Sequence, residues 1–161
     1  MSDPATNEPT SDPATSEPAN APASDPATNE PAHAPAALPT TGWWGSVLEA
    51  PDPRGLARFY SALLGWPIAD EADEWCTVKD PRAEVYLGFH VSAEFVPPVW
   101  PPAEGAQQAM GHLDLEVTDV AQAVALAQAH GARLAEFQPQ DDVRVMLDPV
   151  GHPFCLYRGS D

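Results

Sequence analysis

Apolar residues along the chain follow two periodicities. In DPRGLARFYSALLG (52–65), Leu56, Phe59, Tyr60, Leu63 and Leu64 recur at i, i+3, i+4, i+7 and i+8, one apolar stripe of a helix. Asp52 is placed to cap it, Pro53 opens its first turn with φ already fixed, and Gly65 can stop it. DVAQAVALAQAHG (119–131) repeats the plan with Asp119 as cap, Val120, Ala123, Val124 and Ala127 as stripe, and Gly131 as stop. The second stripe is made of smaller residues, so its partner surface has to come closer. Elsewhere apolar and polar positions alternate, the period of a strand with one buried face. SVLEAPD (46–52) leads into the first helix and HLDLEVTD (112–119) into the second, with LEAPD matching LEVTD. EWCTVKDP and EVYLGFHV follow the first helix; VRVMLDP and HPFCLYR follow the second. A short strand around Trp66 to Ile68, and another around Arg133 to Phe137, fills the gap in each half. The DP steps at 80–81 and 148–149 stand 68 residues apart and the two caps 67 apart, so the sequence predicts a β-α-β-β-β unit written twice.

Residues 1–42 do not share this patterning. They hold nine prolines and six acidic residues, with no Lys, Arg or aromatic residue, and SDPATNEP recurs at 2–9, 11–18 (as SDPATSEP) and 24–31. Frequent proline removes backbone donors and disfavours helix, and so little apolar surface cannot offset the ordering entropy. A disordered, partly polyproline-like tail is expected, with neither the basic start nor the apolar core of a secretion signal. The folded domain is expected over 43–158, in modules of about 43–95 and 110–158. Across 161 residues, 24 Asp and Glu against 7 Lys and Arg give a formal charge of −17. Such a chain repels phosphate backbones and anionic bilayers, so nucleic acid and membrane are excluded as partners. Cys76 and Cys155 make neither a zinc-type spacing nor a disulfide framework, which points to a reducing cytoplasm.

Strand alternation sorts the polar residues. In HLDLEV, Leu113, Leu115 and Val117 share one face and His112, Asp114 and Glu116 the other. In the first half Leu48 and Ala50 go to the apolar side, leaving Gly45, Val47 and Glu49 opposite; in the last strand Phe154 and Leu156 leave Cys155 and Tyr157. FVPPVWPPAEGAQQAMG (95–111), with four prolines around Trp100, is long for a connection. Trp100 could close over a site as an aromatic lid or plug a dimer interface, and a homodimer stays open as an assembly. Asp70, Glu71, Asp73 and Glu74 read most simply as a solvated hairpin turn. His90 reads as a strand running out into the loop, His130 as an exposed helix end, and His152 as a turn residue.

The duplicated unit, with FY…LLGW on its first helix, PPVWP (97–101), HLDLEV (112–117) and a terminal DPVGHPFCL, resembles the glyoxalase/bleomycin-resistance/extradiol-dioxygenase superfamily, the vicinal oxygen chelate proteins, and within it the glyoxalase-like domains of actinobacteria. The resemblance covers residues 43–158. It implies an α+β fold in which two βαβββ modules form a curled mixed sheet around a cup, with Glu49, His112, Asp114, Glu116, Cys155 and Tyr157 facing the cup. Metal-dependent members carry His, Glu or Gln near the start of the first strand of each half and a carboxylate on each last strand. The same count here gives His112 but Gly45, and Cys155 with a first-half counterpart near Leu87 or Phe89. His112 and Cys155 make half a zinc site, which a third ligand from Glu49, Asp114 or His90 would have to complete.

No cofactor and no stoichiometric divalent ion are therefore expected; His112 is the residue to hold one if it is present. Cys155 is expected to be a wall residue of the cup, neither nucleophile nor ligand. Carboxylates sharing a concavity need water, a base such as Arg144, or a cationic ligand. The function these residues support best is a metal-free, glyoxalase-like small-molecule binder, resembling drug-sequestering members, with a cationic or amine-bearing aromatic ligand. A lyase, isomerase or dioxygenase with an atypical metal site at His112, and an interaction module whose cup is filled by a dimer partner, are the alternatives.

Overall fold

The computed structural model describes residues 41–159, within a unit that spans Pro39–Asp161. The expectations about the tail fall, up to residue 40, outside the described residues. The first helix forms where its caps place it: α1, Pro53–Leu64, begins at Asp52, whose side chain accepts from the Gly55 N–H, and ends at Gly65 with φ 69. It buries Leu56, Ala57, Phe59 and Tyr60. The second, α2 (Val120–Ala129), is capped by Asp119 and buries only Ala127 fully, as its small stripe requires. No helix among the described residues is long and apolar enough to cross a membrane.

Around α1 lie β1 (Trp44–Ala50), β2 (Ile68–Glu71), β3 (Trp75–Lys79) and β4 (Val85–Val91); around α2 lie β5 (Leu113–Glu116), β6 (Arg133–Leu134), β7 (Val143–Leu147) and β8 (Pro153–Tyr157). The sheets run β1-β4-β3-β2 and β5-β8-β7-β6, with β1–β4 and β5–β8 parallel and the other pairs antiparallel. The fold is thus α+β, two βαβββ modules with one mixed four-stranded sheet each. One apolar core serves both modules. Tyr60 stacks on Phe89 at 5.6 Å and meets Phe154 of the second module edge-on at 6.4 Å.

Two short strands differ from expectation. β2 lies at Ile68–Glu71, C-terminal to the Trp66–Ile68 expected, and takes in Asp70 and Glu71. Those carboxylates have partners: Asp70 accepts from Thr77 Oγ1 at 2.6 Å, Glu71 pairs with Arg58 at 2.8 Å and Asp73 with Arg54 at 2.8 Å, so the acidic run is more than a solvated turn. β6 holds two residues instead of five. The Gln138 side chain takes over its ladder, accepting from Val145 N–H and donating to the Val145 and Ala135 carbonyls.

Candidate functional site

The parallel β1–β4 register places Gly45 beside Tyr86, Val47 beside Gly88 and Glu49 beside His90. Both glycines lie under rings. A Cβ on Gly45 would stand 2.7 Å from Tyr86 Cδ1, and one on Gly88 2.5 Å from Trp75 Cη2. At the end of this face His90 Nδ1 lies 3.1 Å from Glu49 Oε2. The equivalent register in the second module sets Asp114 beside Cys155 and Glu116 beside Tyr157. Since Val47 corresponds to Asp114, the first-half counterpart of Cys155 is Gly88. Leu87 and Phe89, the expected counterparts, are buried against α1 instead. A shift of one residue along a strand exchanges its faces, which is the whole of the discrepancy.

On the second face three dissimilar groups converge. The donor atoms of His112, Asp114 and Cys155 all lie within 4.8 Å of one another, and His112 Nε2 is 3.3 Å from Asp114 Oδ1. Burial, with the charge and hydrogen bond of Asp114, pushes the Cys155 thiol up to about 11, so it is protonated at neutral pH. Cys155 and Tyr157 are half-buried and Glu116 is exposed. Arg144 does not serve these carboxylates. It pairs in register with Leu156 and donates to the Asp141 and Val143 carbonyls. Histidines, rather than arginine, stand beside Glu49 and Asp114.

Between β1 and β5, each the edge of its sheet on this side, lies a cavity of about 420 Å³, a volume typical of small-molecule sites. Glu49 and His112 line it; Asp114, Glu116, Cys155 and Tyr157 do not. Further wall comes from Tyr60, Glu94, Phe95, Val96, Met110 and His152. Trp100 is also outside the wall, its Nε1 donating at 3.0 Å to the Phe137 carbonyl and so tying the long loop to the second module.

His152 is more than a turn residue. Its Nδ1 lies 2.9 Å from Oδ2 of Asp148, a fully buried carboxylate that also accepts from the backbone N–H groups of Val150, Gly151 and His152. The Tyr60 hydroxyl donates to the same Oδ2 at 3.2 Å. Burial and the Asp148 charge hold the Tyr60 hydroxyl well above its ordinary pKa. The sequence signal was DPVGH itself, in which a turn carboxylate four residues before a histidine can orient the ring.

Duplicated βαβββ modules, with a cavity between the first strand of each, define the class of protein. Residues 45–157 match the glyoxalase-like domain, and the chain belongs to that family and to the vicinal oxygen chelate superfamily. Solved structures share the fold. A glyoxalase/bleomycin resistance protein/dioxygenase family enzyme from Burkholderia phytofirmans PsJN is 16% identical with a TM-score of 0.54, covering 71% of this chain and 95% of that one. A fosfomycin resistance protein from Mesorhizobium loti is 10% identical at 0.54 (75% and 94% covered). A bleomycin resistance determinant encoded on the transposon Tn5 is 16% identical at 0.51 (75% and 100%). No curated protein matches the chain.

The metal centre implied by the superfamily draws donors from both halves. Gly45 and Gly88 offer none, and Tyr86 and Trp75 fill the space over them. The residues present do not fit that centre.

Proposed function

We propose that the chain is a cytoplasmic small-molecule-binding protein that holds its ligand between β1 and β5 without a metal bridging the two halves. The cavity carries this reading. Its volume of about 420 Å³ suits a small ligand, Phe95, Val96 and Met110 make an apolar wall, and Glu49 and Glu94 set negative charge against it. Carboxylates beside an apolar wall favour a cationic or amine-bearing aromatic molecule, which matches their charge while its ring stays dry. Asp114, Glu116, Cys155 and Tyr157 continue the acidic surface along the adjoining strand face. Trp100 contributes by fixing the loop that covers the site. The free thiols Cys76 and Cys155 support a reducing compartment.

The test is a thermal-unfolding screen, in excess chelator, of amine-bearing aromatic compounds with their neutral and anionic analogues. A cationic member at a hundred times its Kd should add about 2.7 kcal/mol. Glu49→Gln should weaken it by more than about 1 kcal/mol through loss of a charge-assisted contact. Stabilisation by anionic analogues alone, or indifference to Glu49→Gln, would refute the reading.

A further inference from the structure

His152 lines the cavity while a fully buried carboxylate holds its ring from behind. Building on the proposed binding of a cation in this cavity, we infer that Nε2 of His152 is a fixed hydrogen-bond acceptor on which the ligand's ammonium docks an N–H. Asp148 is the positioning residue behind it, and the site takes primary, secondary and tertiary amines while rejecting quaternary ones.

The tautomer follows from the company Asp148 keeps. Its Oδ1 accepts from the backbone N–H groups of Val150, Gly151 and His152 at 3.0, 2.8 and 2.9 Å. Its Oδ2 accepts from the Tyr60 hydroxyl at 3.2 Å and lies 2.9 Å from Nδ1 of His152. A carboxylate accepts and does not donate, so Nδ1 carries the hydrogen of that last bond. In the neutral ring the other nitrogen, Nε2, is then a bare acceptor. Among the described residues Nε2 has no hydrogen-bond partner, and the unpartnered side-chain polar atom sealed from solvent there is Arg54 Nε, so Nε2 is open. The His152 side chain is 15% exposed, and the Phe95 ring packs against it with its centroid 5.2 Å away. An ammonium group therefore fits this wall twice: its charge meets Glu49 and Glu94, and its N–H meets Nε2. A quaternary ammonium answers the charge alone and leaves Nε2 unpaired, which is how a hydrogen-bonding site discriminates between ligands of equal charge.

The full-length protein is titrated at pH 8, above the ordinary imidazole range of about 6.5, with phenethylamine, its N,N-dimethyl derivative and its N,N,N-trimethyl derivative. All three are cations, and the last has no N–H. The first two should bind with similar Kd and the third about tenfold more weakly, a step that added bulk alone would spread over the series. His152→Phe should bring all three within about twofold; a step that persists there overturns the inference. Imidazole ¹⁵N spectra of the ligand-free native protein should show His152 as the Nδ1–H tautomer. In Asp148→Asn the three backbone N–H groups hold the amide oxygen, so the amide N–H faces Nδ1. The ring proton should then move to Nε2 and the preference for N–H should vanish, which a role in turn stability alone would not produce. Circular dichroism checks that both variants remain folded. An Nε2–H tautomer in the native protein, or equal affinity for the dimethyl and trimethyl compounds, overturns the inference without recourse to a variant. Cation binding that depends on Glu49 but ignores the N–H removes this inference and leaves the cavity reading standing; no binding by any of the three removes both.

Discussion

Asp148 occupies the position that Asp80 holds in the first half, and the two carboxylates have opposite settings. Asp80 accepts from the backbone and side chain of Arg82, which hold its carboxyl below the usual range. Asp148 is wholly buried and receives three backbone N–H groups, a histidine and the Tyr60 hydroxyl. Tyr60→Phe removes one of these bonds and should cost about 1 kcal/mol in urea denaturation. Asp148→Ala leaves several buried donors without partners and should cost about 3 kcal/mol or more. The Tyr60 hydroxyl also sets an alkaline limit. Its folded-state pKa lies above the unfolded value near 10, so its contribution is complete below about pH 10 and declines as pH rises past it, because only the unfolded chain then loses the proton. Denaturation curves from pH 8 to 11 should show that decline, smaller in Tyr60→Phe. Metal-free Cys155 should alkylate slowly at pH 8, its rate climbing about tenfold per pH unit as the thiolate fraction grows toward about 11. Asp114→Asn, which removes a charge and a hydrogen bond that favour the thiol, should speed alkylation at pH 8; an unchanged rate would show that burial alone raises the pKa.

Both helices were legible because each carries its own start and stop, β1 and β5 because alternation marks a half-buried strand, and β3, β4, β7 and β8 because each is a short apolar stretch after its helix. β2 was expected two residues too early because the polar residues of its second half resemble a turn until Arg58 and Thr77 are seen to hold them. β6 ended early because a side chain, Gln138, does the pairing of a backbone. Of the site, the face shared by His112, Asp114 and Cys155 followed from parity. The cavity did not, since it lies between modules and takes Glu94, Phe95, Met110 and His152 from segments with no periodicity. The rings over Gly45 and Gly88 were equally hidden, because nothing in a sequence says across which strand a side chain leans. They make a sharp prediction for β4. Gly88→Ala would place a Cβ 2.5 Å from the Trp75 ring and should cost about 1–3 kcal/mol as the ring is displaced. Gly111→Ala, with open space around its Cα, should change stability by less than about 0.5 kcal/mol.

At the scale of the whole molecule, charge is distributed unevenly. Arg54, Arg58, Lys79 and Arg82 all pair with carboxylates of the first module, while Glu49 and Asp114, on the faces flanking the cavity, have histidines as their ion-pair partners instead of Lys or Arg. The modules share one core, so they should unfold together. Phe154→Ala, in the second module, should cost about 3–5 kcal/mol and shift tryptophan fluorescence, which reports mainly the first, by as much as it shifts far-ultraviolet dichroism. Separate transitions would show two independent units. The Tyr60–Asp148 bond also bears on descent. Two copies of one unit could at first have been interchangeable, yet this link runs one way only: the residue matching Tyr60 in the second copy is Ala127, which has no hydroxyl to offer Asp80. The two copies are therefore no longer interchangeable at this point: a second first-type module in place of the second would bring no Asp148 carboxylate to the Tyr60 hydroxyl, and a second second-type module in place of the first would leave Asp148 without that donor.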